Sequence, residues 1–85
     1  MYSVYVLRSA KDGNLYVGST KDIENRLTRH NKGKERSTKS RRPFKLIYQE
    51  SYSSRALAMQ REKYFKSPSG GSELKEQLRS SNVAG

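Results

Sequence analysis

Tyr5 and Tyr16 sit on two short apolar runs near the start of the chain, Arg26 follows ten residues after Tyr16, and His30 lies one helical turn further on. Two phenols, a guanidinium and an imidazole are the equipment of a site that handles phosphate: cations hold its charge, and phenol or imidazole groups can move a proton. A carboxylate joins them. In a helix expected over about Arg55 to Lys66, with Ala58 as the zero direction, Phe65 lies at roughly −20° and Glu62 at roughly +40°, inside the apolar stripe. A carboxylate there costs several kcal/mol unless a cation meets it. Glu62 therefore pairs with an arginine or lysine, Arg26 or Arg61 among the candidates, or it holds a metal ion.

Each of these side chains also has a plainer reading. His30 shares a helical face with Ile23 and Leu27, which suits a satisfied core histidine. With Arg26, four residues before it, it would instead form a two-donor clamp for one phosphate. Tyr5 and Tyr16, taken singly, are ordinary strand aromatics.

The elements that must position these groups follow from the pattern. Tyr2 to Leu7 and Leu15 to Ser19 read as two strands of a hairpin, with Lys11-Asp12-Gly13-Asn14 as the turn. A two-residue Asp12-Gly13 turn would leave Tyr16 about 13 Å along the strand from the partner of Tyr5. A wider loop, with paired residue numbers summing to 21 or 23, brings the two rings opposite or diagonal, and a shared site requires it. Thr20 or Asp22 caps a helix ending at Gly33; Phe44 to Tyr52 is a third strand; Ser53 or Ser54 caps the Arg55 to Lys66 helix. Ser67-Pro68-Ser69-Gly70-Gly71 is expected to break the chain before a short polar helix over about Ser72 to Arg79. The order β-β-α-β-α-α predicts an α/β fold, a three-stranded antiparallel sheet flanked by helices, as a single domain over 1–80 with a frayed tail over 81–85.

Charge narrows the partners. Lysine plus arginine number 18 against 8 acidic residues in 85, a net charge of +10, which points to a polyanion such as DNA. Lys32, Lys34, Arg36, Lys39, Arg41, Arg42 and Lys45 crowd one segment opposed only by Glu35, and such a run would track a phosphate backbone without reading sequence. Ser37, Thr38 and Ser40 could add neutral hydrogen bonds to phosphate. No stretch approaches the ~20 apolar residues of a membrane span, and no basic-then-apolar signal region opens the chain. Cysteine is absent, which excludes disulfides and thiolate metal sites, and a cytoplasmic location follows by default.

Together these residues resemble the GIY-YIG nuclease family. Ser3-Val4-Tyr5 looks like the first signature and Tyr16-Val17-Gly18 like the second, with Arg26, His30 and Glu62 at the spacing of intron-homing and DNA repair members. Arg42 to Tyr48 and Ala58 to Lys66 are similar to the third strand and metal-bearing helix of the small, single-domain bacterial branch. Two positions depart from the pattern: Ser19 stands where some members have lysine, and the segment after Lys66 lacks the downstream asparagine of many.

The resemblance implies a divalent-metal-dependent DNA endonuclease with Tyr5, Tyr16, Arg26, His30 and Glu62 as catalytic residues. Glu62 would be the sole protein ligand of one Mg2+ or Mn2+. Arg26 would bind charge on the phosphoryl oxygens, and either tyrosine would serve as base or water-positioner. Arg26 and His30 would supply the positive field a phenolate needs, and His30 would relay a proton or donate to phosphate. Selection of a nick, flap, branch or single strand would come from shape or from a partner protein, since no sequence-reading module is present. The alternative is a non-catalytic nucleic-acid-binding module that keeps the fold and the phosphate clamp.

Overall fold

The computed structural model describes the backbone of residues 1–84 and the side chains of residues 1–79. Its elements are β1 (Tyr2–Ser9), β2 (Leu15–Thr20), α1 (Ile23–Asn31), a single 3-10 turn (Lys39–Arg41), β3 (Phe44–Tyr52), α2 (Arg55–Phe65) and α3 (Pro68–Ala84). The strands form one antiparallel sheet in the order β2-β1-β3, so β2 is an edge.

The hairpin takes the wider loop. Tyr5 pairs with Gly18 and Leu7 with Tyr16, sums of 23, and Ser9 N donates to Asn14 O at 3.0 Å across the loop. Tyr5 and Tyr16 are thus diagonal neighbours on one face. Alternation sends Val4, Val6 and Val17 to the other face, where they pack with Ala58, Phe65 and Leu74 of α2 and α3. The tyrosine face packs Tyr5, Leu7 and Phe44 against Ile23 and Leu27 of α1. Helices therefore cover both faces, with α1 alone on one side.

Local chemistry sets the helix starts. Asp22 accepts from Asn25 N at 3.1 Å and Ser54 from Leu57 N at 3.2 Å, satisfying donors that a helix start leaves unpaired. Gly33, with φ +77°, turns the chain after α1. The side-chain amide of Asn31 then exchanges two bonds with the Phe44 backbone, at 3.1 and 2.7 Å, pinning the end of α1 to β3.

The expected break at Ser67 to Gly71 is corrected: α3 begins at Pro68 and runs through both glycines. Ser67 caps it, accepting from Gly70 N at 3.1 Å, and Pro68 opens the first turn, where its missing N–H costs nothing. Gly70 is buried, and a Cβ there would collide with the Tyr64 carbonyl, so glycine is what lets α3 turn back against the end of α2. Of the tail foreseen over 81–85, the backbone to Ala84 belongs to α3, and the side chains together with Gly85 lie outside the described residues.

Candidate active site

The edge of β2 carries the site. Tyr16 stands on its α1 side, Ser19 points to the α2 side, and Gly18 between them has no side chain. The Tyr5 ring fills the place that a side chain at 18 would take: a Cβ built on Gly18 would lie 2.5 Å from the Tyr5 hydroxyl oxygen. The Tyr5 and Tyr16 rings are 6.4 Å apart, and the His30 ring lies 5.9 Å from one and 5.0 Å from the other.

His30 is fully buried and both of its ring nitrogens are engaged. Nε2 is 3.1 Å from the Tyr5 hydroxyl and Nδ1 is 2.7 Å from Thr38 Oγ1. Because the Thr38 hydroxyl can donate onward to the Glu35 carbonyl, 3.4 Å away, the network assigns the proton to Nδ1, so Tyr5 donates to Nε2. Burial pushes the imidazole below its usual pKa, against a smaller opposing pull from Glu35. His30 is therefore neutral near neutral pH. The expected Arg26–His30 phosphate clamp is not formed, and His30 supplies no positive field. Thr38, foreseen as a phosphate contact, is instead buried against His30.

Burial also raises the pKa of the Tyr5 phenol well above its ordinary value; Tyr16 and Glu62 add to the rise and Arg26 opposes it. With its proton held on His30, Tyr5 is a fixed neutral phenol, and Tyr16, only half-buried, is the phenol that meets solvent.

Glu62 reaches the same edge from the opposite layer. Its Oε1 accepts from Ser19 Oγ at 2.6 Å and its Oε2 from Lys66 Nζ at 2.8 Å. The cation expected to meet it is a lysine, Lys66, and not Arg26 or Arg61. Arg61 bonds Glu50 at 3.0 Å and Glu73 at 3.2 Å, and its guanidinium lies 4.3 Å from the Phe65 ring centroid. Glu50 also accepts from Tyr48 and Tyr52, at 2.5 and 2.6 Å. This network holds α2 on β3 and so sets the height of Glu62.

Two hollows flank the Ser19–Glu62 contact. Arg26 lines one, with Ser19, Lys21 and Arg55. Tyr16 and Lys66 line the other, and the Lys66 ammonium sits 5.7 Å from the Tyr16 ring centroid. Tyr16, Arg26 and Glu62 thus lie along the edge of β2, with Tyr5 and His30 buried behind it, rather than around the floor of one pocket.

A metal fits this donor set in one way only. No cluster of three or more histidine or carboxylate side chains exists among the described residues. What the ridge offers is one partly exposed carboxylate beside a serine hydroxyl, an all-oxygen set for a hard cation that keeps most of its own water. Lys66 occupies one carboxylate oxygen and would have to yield it for an ion to bind both.

The basic segment is divided. Arg41 Nε bonds Asp12 at 2.9 Å and Arg42 Nε donates to the Lys39 carbonyl at 2.9 Å, so both brace the loop that carries Thr38. Lys32, Lys34, Arg36, Lys39 and Lys45 are exposed and form no ion pair with a described residue. The residues that sequence reasoning missed are Ser19, Thr38, Glu50 and Lys66. Lys66, at i+4 from Glu62, carried the one local signal; the other three act across distant segments.

A family model for the GIY-YIG catalytic domain matches residues 1–75. A UPF0213 protein of Staphylococcus saprophyticus is 42% identical over 73 residues, covering 85% of this chain and 88% of that protein. A UPF0213 protein of Bacillus licheniformis is 52% identical over 63 residues, covering 73% and 64% respectively. The solution NMR structure of a UPF0213 protein from Bacillus halodurans is 37% identical and superposes with a TM-score of 0.51, covering 94% of this chain and 84% of that one. With a β-β-α-β-α-α fold, both signatures on adjacent strands and the family model spanning nearly the whole chain, this protein belongs to the GIY-YIG family.

Proposed function

We propose that this protein is a divalent-metal-dependent DNA endonuclease that engages the phosphate backbone, and that Tyr16, Arg26 and Glu62 meet the substrate while Tyr5 and His30 hold the tyrosine face in shape. The observation that carries the reading is the Ser19–Glu62 contact, which brings the helix carboxylate to the strand edge where Tyr16 and Gly18 stand. Glu62, with Ser19 beside it, would hold one Mg2+ or Mn2+ when loaded. Bound there, such an ion would neutralise charge on the scissile phosphate and on the leaving oxygen.

The chain's own groups supply the rest. Arg26, free of ion pairs with described residues, would grip the phosphoryl oxygens as charge grows on them. Tyr16, reacting as its phenolate with the Lys66 ammonium 5.7 Å from its ring centroid as the nearby positive charge, would orient the attacking water and take its proton. The water oxygen would bond to phosphorus, and the P–O bond to the leaving sugar oxygen would break with its electron pair, that oxygen then taking a proton from solvent. Tyr5, donating to His30, would keep Tyr16 from collapsing into the sheet. The exposed lysines and Arg36 of the 32–45 segment would hold the backbone on either side, with Arg41 and Arg42 shaping the loop.

Incubation of supercoiled plasmid with the purified protein tests this reading. Nicking that needs Mg2+ or Mn2+ and stops with a chelator is expected. Metal-dependent nicking that persists undiminished in Glu62→Ala contradicts the assigned site. The second reading, a non-catalytic nucleic-acid-binding module, is favoured by one observation, the occupation of both Glu62 oxygens by Ser19 and Lys66. It predicts binding with no turnover under any metal.

A further inference from the structure

A hollow of about 500 Å3 lies beyond the site, where the hairpin loop meets α3, and the function above does not use it. Its walls carry three cations from separate parts of the chain: Arg8 on β1, and Lys75 and Arg79 on α3. Its apolar lining is Leu15 and Leu78. Arg8 and Lys75 form no ion pair with a described residue, and Arg79 meets only Glu76, in a pair about two-thirds exposed on both sides. Register brings a further cation to this end of the sheet, since Lys45 stands opposite Arg8. Exposed pairs of the Arg79–Glu76 kind contribute little, so the electrostatic need of this wall is unmet within the protein.

This hollow continues into the site. It shares Leu15 and Lys75 with the hollow lined by Tyr16, Phe65 and Lys66, and Lys66 is bonded to Glu62. One groove therefore leaves the Glu62–Tyr16 ridge and runs past β2 towards the hairpin loop. Its side next to the ridge is mainly apolar, with Leu15 and Tyr16 half-buried between the two lysines and the core residues Phe65 and Leu74 behind them. A paired duplex presents phosphates and sugars outward and has no use for such a floor. An unpaired strand presents bases to stack or lie on apolar surface while its phosphates meet cations.

We propose that this groove binds a single-stranded nucleic-acid segment adjoining the cut, with its bases on the floor formed by Leu15 and Tyr16 and its phosphates on Lys75, Arg8 and Arg79. The inference rests on the nuclease reading for the position of the cut but not for the binding itself. It makes the preferred substrate a duplex carrying an unpaired tail rather than an uninterrupted duplex. The exposed Lys32, Lys34, Arg36 and Lys39, in the segment that follows α1, then serve the paired part.

The test measures binding without metal, so that it reads the groove whether or not the protein cuts. Arg8→Gln, Lys75→Gln and Arg79→Gln are combined; all three residues are exposed, and melting temperature checks that the fold is kept. The slope of log affinity against log salt for a short single-stranded DNA should fall by about 2, as expected for three lost phosphate contacts, with affinity down roughly tenfold or more at moderate salt. Affinity for a blunt duplex should change less than twofold. Arg8→Lys with Arg79→Lys, which keeps the charge, should retain the wild-type slope. An unchanged slope and affinity for single strands in the triple variant overturns the groove. Equal losses on single strand and blunt duplex also overturn it, by showing a general electrostatic surface. Absence of cleavage by the wild type, with these binding differences intact, overturns the nuclease reading and leaves the groove standing.

Discussion

The Tyr5 phenol occupies the space in which a side chain on Gly18 would stand, with only 2.5 Å between a Cβ at 18 and the Tyr5 oxygen. A glycine in the second signature is thereby explained by a phenol in the first, because the two are direct partners across the hairpin. Gly18→Ala must drive the Tyr5 ring away from His30 and break the 3.1 Å bond between them. Overpacking of this kind costs about 1–3 kcal/mol. A urea midpoint lowered accordingly, together with loss of nicking, is expected; a variant as stable and as active as the wild type would show that the ring has room to move.

His30 makes stability depend on pH. Its folded-state pKa is below its unfolded value because burial opposes the charged form, so the unfolded chain takes up the proton first. Stability from this group is present above the unfolded value near 6.5 and is lost progressively as pH falls towards the lower folded value. Glu35, Arg26 and Arg29 act on the ring, with Glu35 alone favouring its protonation. Urea unfolding at pH 7.5 and 5.5 should show wild-type stability falling over this window and His30→Gln staying nearly flat. Carboxylates held low by their partners, such as Asp12 and Glu35, act only at more acid pH. Parallel pH profiles in the two proteins would remove His30 as the cause.

Glu50 is the structural carboxylate, in contrast to Glu62. It gathers Tyr48, Tyr52 and Arg61, and the Tyr48 phenol is pushed up to about 12, by burial first and then by the bond to Glu50. Glu50→Gln should cost about 2 kcal/mol through lost charge-assisted bonds, discounted for its partial exposure. Thermal denaturation reads this directly. A neutral result would mean that packing of Phe65 and Ala58 alone seats α2.

Lys66 guards the Glu62 carboxylate. Removing its ammonium in Lys66→Met leaves one oxygen of Glu62 without a resident cation. Affinity for Mn2+ in the absence of DNA, followed by electron paramagnetic resonance of the free ion, should rise severalfold. Weaker or equal binding in the variant would indicate that the ion is held elsewhere.

Much of this was legible in the residues, and the failures share a physical cause. Strand alternation and caps at Asp22 and Ser54 are local, and each leaves a mark within four residues. The helical wheel placed Glu62 on the inward stripe correctly as a direction, yet a direction does not identify the partner that another strand brings. Ser19 therefore passed for a missing lysine rather than a bond to Glu62. Thr38 passed for a surface hydroxyl because the loop's fold onto His30 depends on contacts such as Ser9 to the Arg41 carbonyl, 32 residues apart. At Ser67 to Gly71 the sequence has every sign of a break, and only the close approach of α3 to Tyr64 shows why Gly70 belongs inside a helix.

The central claim is that Glu62 and Arg26 act on one phosphodiester at the edge of β2. Single-turnover cleavage of a tailed duplex, at saturating protein and with Mg2+ or Mn2+, measures this most directly in wild type, Glu62→Gln and Arg26→Gln. Each substitution should slow cleavage by about 100-fold or more, the scale expected for losing a group that stabilises transition-state charge, while metal-free DNA affinity changes only slightly. Cleavage by both variants at the wild-type rate would contradict the account.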